Sequence, residues 1–552
     1  MEIKFVCISD FHIGGTFNEQ MYYRGMDLVN SQPKDAIVIC CGDLTDSGTL
    51  FQYKLATELL KKLKRPYFIV PGNHDAKNVG DLLWEEFIGP RYFVNVDKER
   101  KIKLLGLDSN EPDSDTGRMG RKGIRPIYQE FQDLDDDWFK VLVFHHQTLP
   151  IPYTGRERSA INDAGDVIKA ILDCNIHLVL NGHRHISNVY RLSDGNIQTL
   201  LVNVGTMSCT KTRYKEEYSI TTIDFDQSRK NATVNVIQLG ELGPMPKIKF
   251  SGDLKYLQKP KQKHLISTIV QIASTDFGEG IFDLEMFARG IKLINSINCE
   301  FVVHCGNVTA DSYMNEFKYA KALLQQIAKP LIVLPGPQDT KPLGFELFPE
   351  YIGDMSPRFE TETIKFYGFN SCILDETEGR LGRENSRIIA TELAPTPNKI
   401  SVACFHHTII PLPRTKHEAE LIDAGDVLST IITSNVNLVL TGAKNKPATW
   451  QINNTVFVNS GTLSSYNVNT KDGNSFNVIS IYQTPEGYYY EIDEVILAVD
   501  GARRLGTYHI KKDDSYNMNP KENGINRVST TKIKLPEIKQ THKKKKNKFS
   551  KS

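Results

Sequence analysis

The chain has 552 residues, 40% hydrophobic and 24% charged, with 38 Gly and 25 Pro; that predicts two to four ordinary globular domains and excludes a collagen-like or wholly disordered chain. Its longest apolar runs, such as Ile37–Cys41, fall far short of the ~18 residues a membrane span needs, so no transmembrane segment is expected. The formal net charge of +1 conceals an asymmetry, because residues 501–552 carry 15 Lys/Arg against 4 Asp/Glu and leave 52 against 62 in the rest.

In chain order, Ile3–Ile8, Ala36–Cys41, Tyr67–Val70, Val141–Phe144 and Ile176–Leu180 are β-branched or aromatic runs bounded by turn residues. They read as buried strands. Tyr53–Leu63 between them has the apolar spacing of an amphipathic helix. Thr199–Val204, Tyr218–Phe225 and Ala232–Leu239 follow as strands with no helix between. The mixture predicts an α/β fold of two packed sheets covered by helices. Met1–Asp10 runs into a strand with no basic leader, and the nine Cys form no Cys-x-x-Cys pair. Reduced thiols in a cytoplasmic protein are therefore expected.

The chain also repeats itself. Phe144-His145-His146 returns as Phe405-His406-His407, each followed by Pro-x-Pro. Asp163-Ala164-Gly165-Asp166-Val167 returns unchanged at 423–427, and Leu178–Gly182 returns as Leu438–Gly442 with one change. A period near 260 is that of a whole domain rather than a solenoid repeat. The expected organisation is a domain over 1–250, a linker over 251–264, a second copy over 265–500 and a basic, disordered tail over 501–552. The Lys run at 543–546 predicts at most weak polyanion contact by that tail. Asp163 and Asp166 read as helix-start residues.

Polar clusters close each of the five early strands: Asp10-Phe11-His12, Gly42-Asp43 with Asp46, Gly72-Asn73-His74-Asp75, His145-His146 and Gly182-His183-Arg184-His185. Carboxyl ends of strands in an α/β sheet open onto one crevice, so these clusters can share a site. Imidazole, carboxylate and one amide, without thiolate, suit two divalent ions of the Mn, Fe, Zn or Co type. Seven ligands are too many for one ion and fit a pair bridged by a carboxylate.

Taken together, the five blocks resemble the calcineurin-like metallophosphoesterase superfamily, and most closely its class III cyclic-nucleotide phosphodiesterase branch. The resemblance implies a four-layer α/β/β/α metallophosphoesterase sandwich, here duplicated in tandem. It implies one ion on Asp10, His12, Asp43 and His185, and another on Asp43, Asn73, His145 and His183. Hydrolysis of a small phosphoester follows from it, a phosphodiester such as a cyclic nucleotide, attacked by a metal-bound hydroxide. His74 would serve the leaving oxygen, with the Asp46 carboxylate orienting it. A nuclease, a nucleotide phosphatase or a non-catalytic scaffold of the same fold are the alternatives.

Aligned by residue identity, the second copy keeps Asp10 as Asp276 and His145 as His406, while His12 becomes Gly278 and Asp43 becomes Asn307. Asn73-His74 becomes Pro337-Gln338, Asp46 becomes Ala310, and His183 and His185 become Ala443 and Asn445. The second copy is thus expected to be inactive and to dock on the first as an intrachain pseudo-dimer partner.

Overall fold

The computed structural model describes residues 2–154, 160–214, 216–226, 231–240, 243–254, 259–396, 398–415, 421–499 and 501–511. The first half opens with β1 (Glu2–Ile8), α1 (Glu19–Asn30), β2 (Ile37–Cys40), α2 (Leu50–Leu60), β3 (Tyr67–Ile69), α3 (Gly80–Phe87), β4 (Phe93–Asp97) and β5 (Ile102–Gly106). It continues with α4 (Gly120–Phe131), β6 (Phe139–Val143), α5 (Ala164–Asp173), β7 (Leu178–Asn181), β8 (Asn188–Ser193), β9 (Gln198–Asn203), β10 (Ser219–Asp226), β11 (Asn231–Gln238) and β12 (Met245–Asp253). One sheet has the order β12-β11-β10-β1-β2-β3, and the other strands form the facing sheet.

Side-chain alternation builds the layers. Ile3, Phe5 and Cys7 of β1 join Val141, Val143 and Leu180 in the core between the sheets. Val6 and Ile8, pointing the other way, pack with Tyr22, Met26, Tyr53 and Trp84 from α1, α2 and α3. This is the expected α/β/β/α sandwich. β1, β2 and β3 are parallel, as are β5, β6 and β7, so each half-site opens at their carboxyl ends.

The second half repeats the order of elements: β13 (His264–Ile272), α6 (Leu284–Ser296), β14 (Phe301–His304), α7 (Met314–Leu324), β15 (Leu331–Val333), α8 (Gly344–Tyr351), β16 (Arg358–Glu360) and β17 (Ile364–Gly368). Then come α9 (Gly382–Glu392), β18 (Ile400–Cys404), α10 (Ala424–Thr433), β19 (Leu438–Thr441), β20 (Ala448–Ile452), β21 (Thr455–Asn459), β22 (Ser475–Gln483), β23 (Gly487–Ile496) and β24 (Gly501–Lys511). Its first sheet runs β15-β14-β13-β22-β23-β24.

The facing sheets of the two halves fuse. β8 pairs antiparallel with β20 through Gln451↔Ser193 and Ile452↔Leu192, giving one 12-stranded sheet. Arg191 N donates to Asn453 Oδ1 at 2.9 Å, and Asn453 N returns a bond to Arg191 O at 2.8 Å. The repeated motifs sit at a second join. Tyr153 N donates to Asp426 Oδ1 at 2.7 Å, and Arg414 N donates to Asp166 Oδ1 at 2.9 Å. Each Pro-x-Pro loop thereby lies on the helix start of the other half. A Cβ on Gly165 would meet the Leu412 carbonyl at 2.2 Å, and one on Gly425 the Ile151 oxygen at 1.9 Å. Only glycine permits that approach.

Asp163 does not cap its own helix. Its carboxylate accepts from Met119 N and Gly120 N at the start of α4, at 2.9 and 2.6 Å. The expected boundaries move too. β12 runs to Asp253, into the stretch taken as linker, and β24 occupies the first eleven residues of the stretch taken as tail. The charge excess there misleads because the arginines are partnered. Arg503 bridges Glu494 and Asp472 at 2.6 Å each, Arg504 meets Asp493 at 2.5 Å, and Tyr508 and Ile510 are buried. Residues 512–552, with the Lys543–Lys546 run, lie outside the described residues.

Candidate metal centre

The five strand ends bring all seven expected donor residues together. Asp10, His12, Asp43 and His185 offer ligand atoms within 4.8 Å of one another, and so do Asp43, His145 and His183. Asp43 is common to both groups. Asn73 Oδ1 lies 3.1 Å from His145 Nε2 and 2.9 Å from His183 Nδ1. Five of the seven take left-handed φ: Asp10 +56, His12 +54, Asp43 +54, His183 +77 and His185 +57. Non-glycine residues avoid that region unless the surroundings hold them there.

Hydrogen bonds on the far side of two rings decide which nitrogen faces inward. His145 Nδ1 donates to Cys41 O, and His185 Nδ1 to Lys211 O, both at 2.7 Å. Each neutral ring then presents a bare Nε2. His145 Nε2 faces Asp43 Oδ2 at 3.2 Å, and His185 Nε2 faces Asp10 Oδ1 at 3.3 Å and His12 Nε2 at 3.1 Å. Acceptors meeting acceptors in a buried pocket are a repulsive arrangement unless a proton or a cation lies between them. Nitrogen and oxygen donors converging in this way fit divalent cations.

The electrostatics agree. Burial pulls His145 and His185 down, but the facing Asp43 and Asp10 carboxylates outweigh it, and His145 is raised to about 9. At His12 and His183 burial dominates and the rings are lowered. Burial pushes Asp43 up, yet the surrounding histidines hold its carboxyl well below the usual range.

His74 stands beside the donors, its ring centroid 4.4 Å from that of His12. The sequence expectation for Asp46 requires correction: its carboxylate does not orient His74. Oδ1 faces His12 Nδ1 at 3.2 Å and accepts from Thr16 Oγ1 at 2.8 Å. The bond to His74 Nδ1, 2.6 Å long, comes from the Asp46 backbone carbonyl. A short side chain has to choose one of two neighbouring histidines, and Thr16 holds it toward His12. His12 hydrogen bonding also keeps Asp46 strongly acidic.

Sequence reasoning missed several neighbours. Lys77 Nζ lies 3.3 Å from His74 Nε2 and 3.1 Å from Asp115 Oδ1. Asp115 accepts from Asn73 Nδ2 at 3.0 Å, which turns the amide oxygen toward His145 and His183. Cys209 joins His12 and His185 within 4.8 Å, so a thiol borders a donor set expected to lack one. Lys77 follows His74 by three residues in the same turn and was detectable; Asp115 and Cys209 arrive on distant loops with no local signal. His146 turns away, its Nδ1 2.9 Å from Ser109 Oγ.

The second half shows a different correspondence from residue identity. Asp10 N and His12 N donate to Gly42 O and Asp43 O, as Ser274 N and Asp276 N donate to Gly306 O and Asn307 O. Ser274 therefore stands at the place of Asp10, and Asp276 at that of His12. Of the seven donors only His406 keeps its identity, and among the described residues no second cluster of this kind forms.

The calcineurin-like phosphoesterase family model matches residues 3–187. A probable glycerophosphodiester phosphodiesterase of Arcobacter nitrofigilis is 30% identical over 159 residues, covering 26% of this chain and 58% of that protein. A probable cyclic nucleotide phosphodiesterase of Coxiella burnetii is 26% identical over 202 residues, covering 35% and 78%. The chain thus spans little more than half of the Arcobacter protein. Among solved structures, a yellow lupin purple acid phosphatase aligns over 45% of this chain and 53% of its own at 13% identity, with a TM-score of 0.36. All seven donors fall within residues 3–187, the stretch of the chain that is similar to the calcineurin-like phosphoesterase family.

Proposed function

We propose that the protein is a metal-dependent phosphoric ester hydrolase that cleaves phosphodiesters at a centre lying wholly in its first half. The observation that supports this most is the set of bare acceptors facing one another around Asp43. Asp10, His12, Asp43 and His185 would hold one divalent cation, and Asp43, Asn73, His145 and His183 a second; Mn, Fe, Zn or Co suits such donors. A bound pair supplies Lewis acidity to the phosphoryl oxygens and lowers the pKa of a water.

The chain's own residues set the rest. The carbonyls of Cys41 and Lys211 fix two imidazole tautomers, and Asp115 fixes the Asn73 amide. His74 gives its Nδ1–H to Asp46 O, so Nε2, facing Lys77, is the nitrogen left to meet a leaving oxygen. Both relatives are named for diesters, which favours a diester over a monoester, with cyclic nucleotides as the finer reading. The second half is read as a degenerate copy docked as a pseudo-dimer partner; the repeated order of elements and the exchanged loops favour this. A cytoplasmic location is part of the reading, and nine free cysteines suit a reducing compartment. Weak polyanion contact by the Lys run near the end also belongs to it.

Elemental analysis of the purified chain should find two transition-metal ions. A hydrolysis screen with Mn²⁺ should show turnover of bis(p-nitrophenyl) phosphate and at least one natural diester above p-nitrophenyl phosphate. Faster cleavage of single-stranded nucleic acid would make it a nuclease, and a preference for nucleoside monophosphates a nucleotide phosphatase. Absence of metal and of turnover would leave a scaffold.

A further inference from the structure

The three sheets end in six edges. An edge strand leaves main-chain N–H and C=O groups unpaired, and proteins blunt such edges by shortness, proline or charge. β3, β15 and β16 have three residues each and directly follow Pro66, Pro330 and Pro357. β12 carries Pro246, Lys247 and Lys249, and β24 carries Arg503 and Arg504. β4, Phe93-Val94-Asn95-Val96-Asp97, has none of these devices. Its one charge, Asp97, closes back on its own chain, accepting from Arg100 N at 2.9 Å and from Arg100 Nε at 2.7 Å.

β4 is paired with β5 on one side only, from Phe93↔Gly106 to Asp97↔Ile102. Among the described residues no other main-chain hydrogen bond reaches it. Alternation gives its two faces different company. Phe93 turns toward the core, its ring centroid 5.1 Å from that of Phe68. Val94 and Val96 turn the other way and stay 42% and 43% exposed, and Tyr92 just before them is 63% exposed.

The strand itself points to its occupant. An antiparallel partner of the same sequence, centred on Asn95, sets Val94 opposite Val96 and Val96 opposite Val94 on the open face. At the ends it brings Tyr92 to Lys98 and Arg91 to Glu99, ring to ammonium and guanidinium to carboxylate. Lys98 and Glu99 are exposed. Arg91, also bridged to Asp81, Glu85 and Asp108, keeps 36% of its side chain open. The chain makes a join of this kind within itself, where β8 meets β20 antiparallel. We infer that β4 is a docking edge for a second copy of this chain, the two β4 strands pairing antiparallel about a two-fold axis at Asn95. The pairing joins two 12-stranded sheets into one. One short strand from each chain buries little area, so the dimer is a weak, micromolar one.

Sedimentation equilibrium of the full chain tests this. The wild type should pass from monomer to dimer across the micromolar range. Val94→Lys with Val96→Lys sets like charges opposite each other twice and should weaken the dimer ~10-fold or more, with circular dichroism unchanged. Val94→Glu with Val96→Glu should do the same. An equimolar mixture of these two variants should dimerise again, because this register sets each new carboxylate against a new ammonium. Should a charged pair fail to fold, Asn95→Cys, on the axis, should give a disulfide-linked dimer on oxidation with diamide, and the wild type should not. Directly opposed Cα atoms lie about 4.5–5.5 Å apart, within disulfide reach. A wild type that stays monomeric throughout the micromolar range leaves the edge to some other partner and overturns the proposal. So does a dimer untouched by the Lys pair, a mixture that fails to re-form it, or an Asn95→Cys chain that does not cross-link.

Discussion

His145 and His406 occupy the same place in the two halves, and their titrations move in opposite directions. Both rings are buried, and both donate Nδ1–H to a cysteine carbonyl, Cys41 or Cys305, at 2.7 Å. Burial lowers each. At His145 the Asp43 and Asp10 charges overcome it and raise the ring to about 9; at His406 burial outweighs the bond to the Cys305 carbonyl, no carboxylate opposes it, and the ring falls to about 4. The frame around them hardly differs. Asn307 Oδ1 still accepts from the backbone N of Gln338, at 3.2 Å, as Asp43 Oδ1 does from His74 N at 2.9 Å. Asp339 accepts from Val308, Thr309 and Gly336 as Asp75 does from Leu44, Thr45 and Gly72. Ser274, Asp276, Asn307 and Asn445 keep left-handed φ between +45 and +57. The strained strand ends therefore belong to the fold, and the chemistry to a few side chains carried on them.

Exchanging one such side chain should break the contrast most. Asp43→Asn, the change seen at Asn307, should remove the metal pair and cut diesterase activity ~10³-fold or more, with circular dichroism unchanged. Metal content near two ions with ordinary turnover would contradict the shared-ligand role. Next in size is His74→Ala, which should keep both ions and lose ~10²-fold in kcat. The loss should be smaller for a p-nitrophenyl leaving group, which needs less protonation. Loss of metal would instead make His74 a ligand.

The join between halves gives a stability effect. Gly425→Ala places a methyl against the Ile151 carbonyl and should cost about 2–3 kcal/mol in urea unfolding; an unshifted midpoint would mean the loop relaxes freely. The smallest effect is pH-dependent. Asp276, at the place of His12, is raised by burial from 3.8 to about 7. The folded state thus disfavours its ionised form, so its contribution is intact below about pH 4 and declines as pH rises to about 7. Asp276→Asn should stabilise by about 1–2 kcal/mol at pH 8 and change nothing at pH 4. Equal effects at both pH values would show that the carboxyl is not perturbed.

The strands under the site were legible because each is a local signal, an apolar run ended by a glycine or a polar cluster. β1, β2, β3 and β7 fall within two residues of their expected starts. The edge strands β4, β12 and β24 were not, since half-exposed or charged segments take their partners from elsewhere in the chain. Matching the halves by letters paired Asp10 with Asp276, two residues out of register. Hydrogen bonding across β1–β2 and β13–β14 supplies the true pairing, and no letter in the sequence records it.

What the sequence determined alone was the set of seven candidate donors, the α/β layering and the scarcity of such residues at the recurring motifs of the second half. These depend on residue type and short-range periodicity, which a chain carries before it folds. Tertiary structure decided the rest: that Asp46 serves His12 with its carboxylate and His74 with its carbonyl, that Asp115 aims Asn73, and that two sheets fuse through β8 and β20. Each is a contact between segments 28 or more residues apart, fixed by packing and by the direction of single hydrogen bonds, which one-dimensional patterns do not contain.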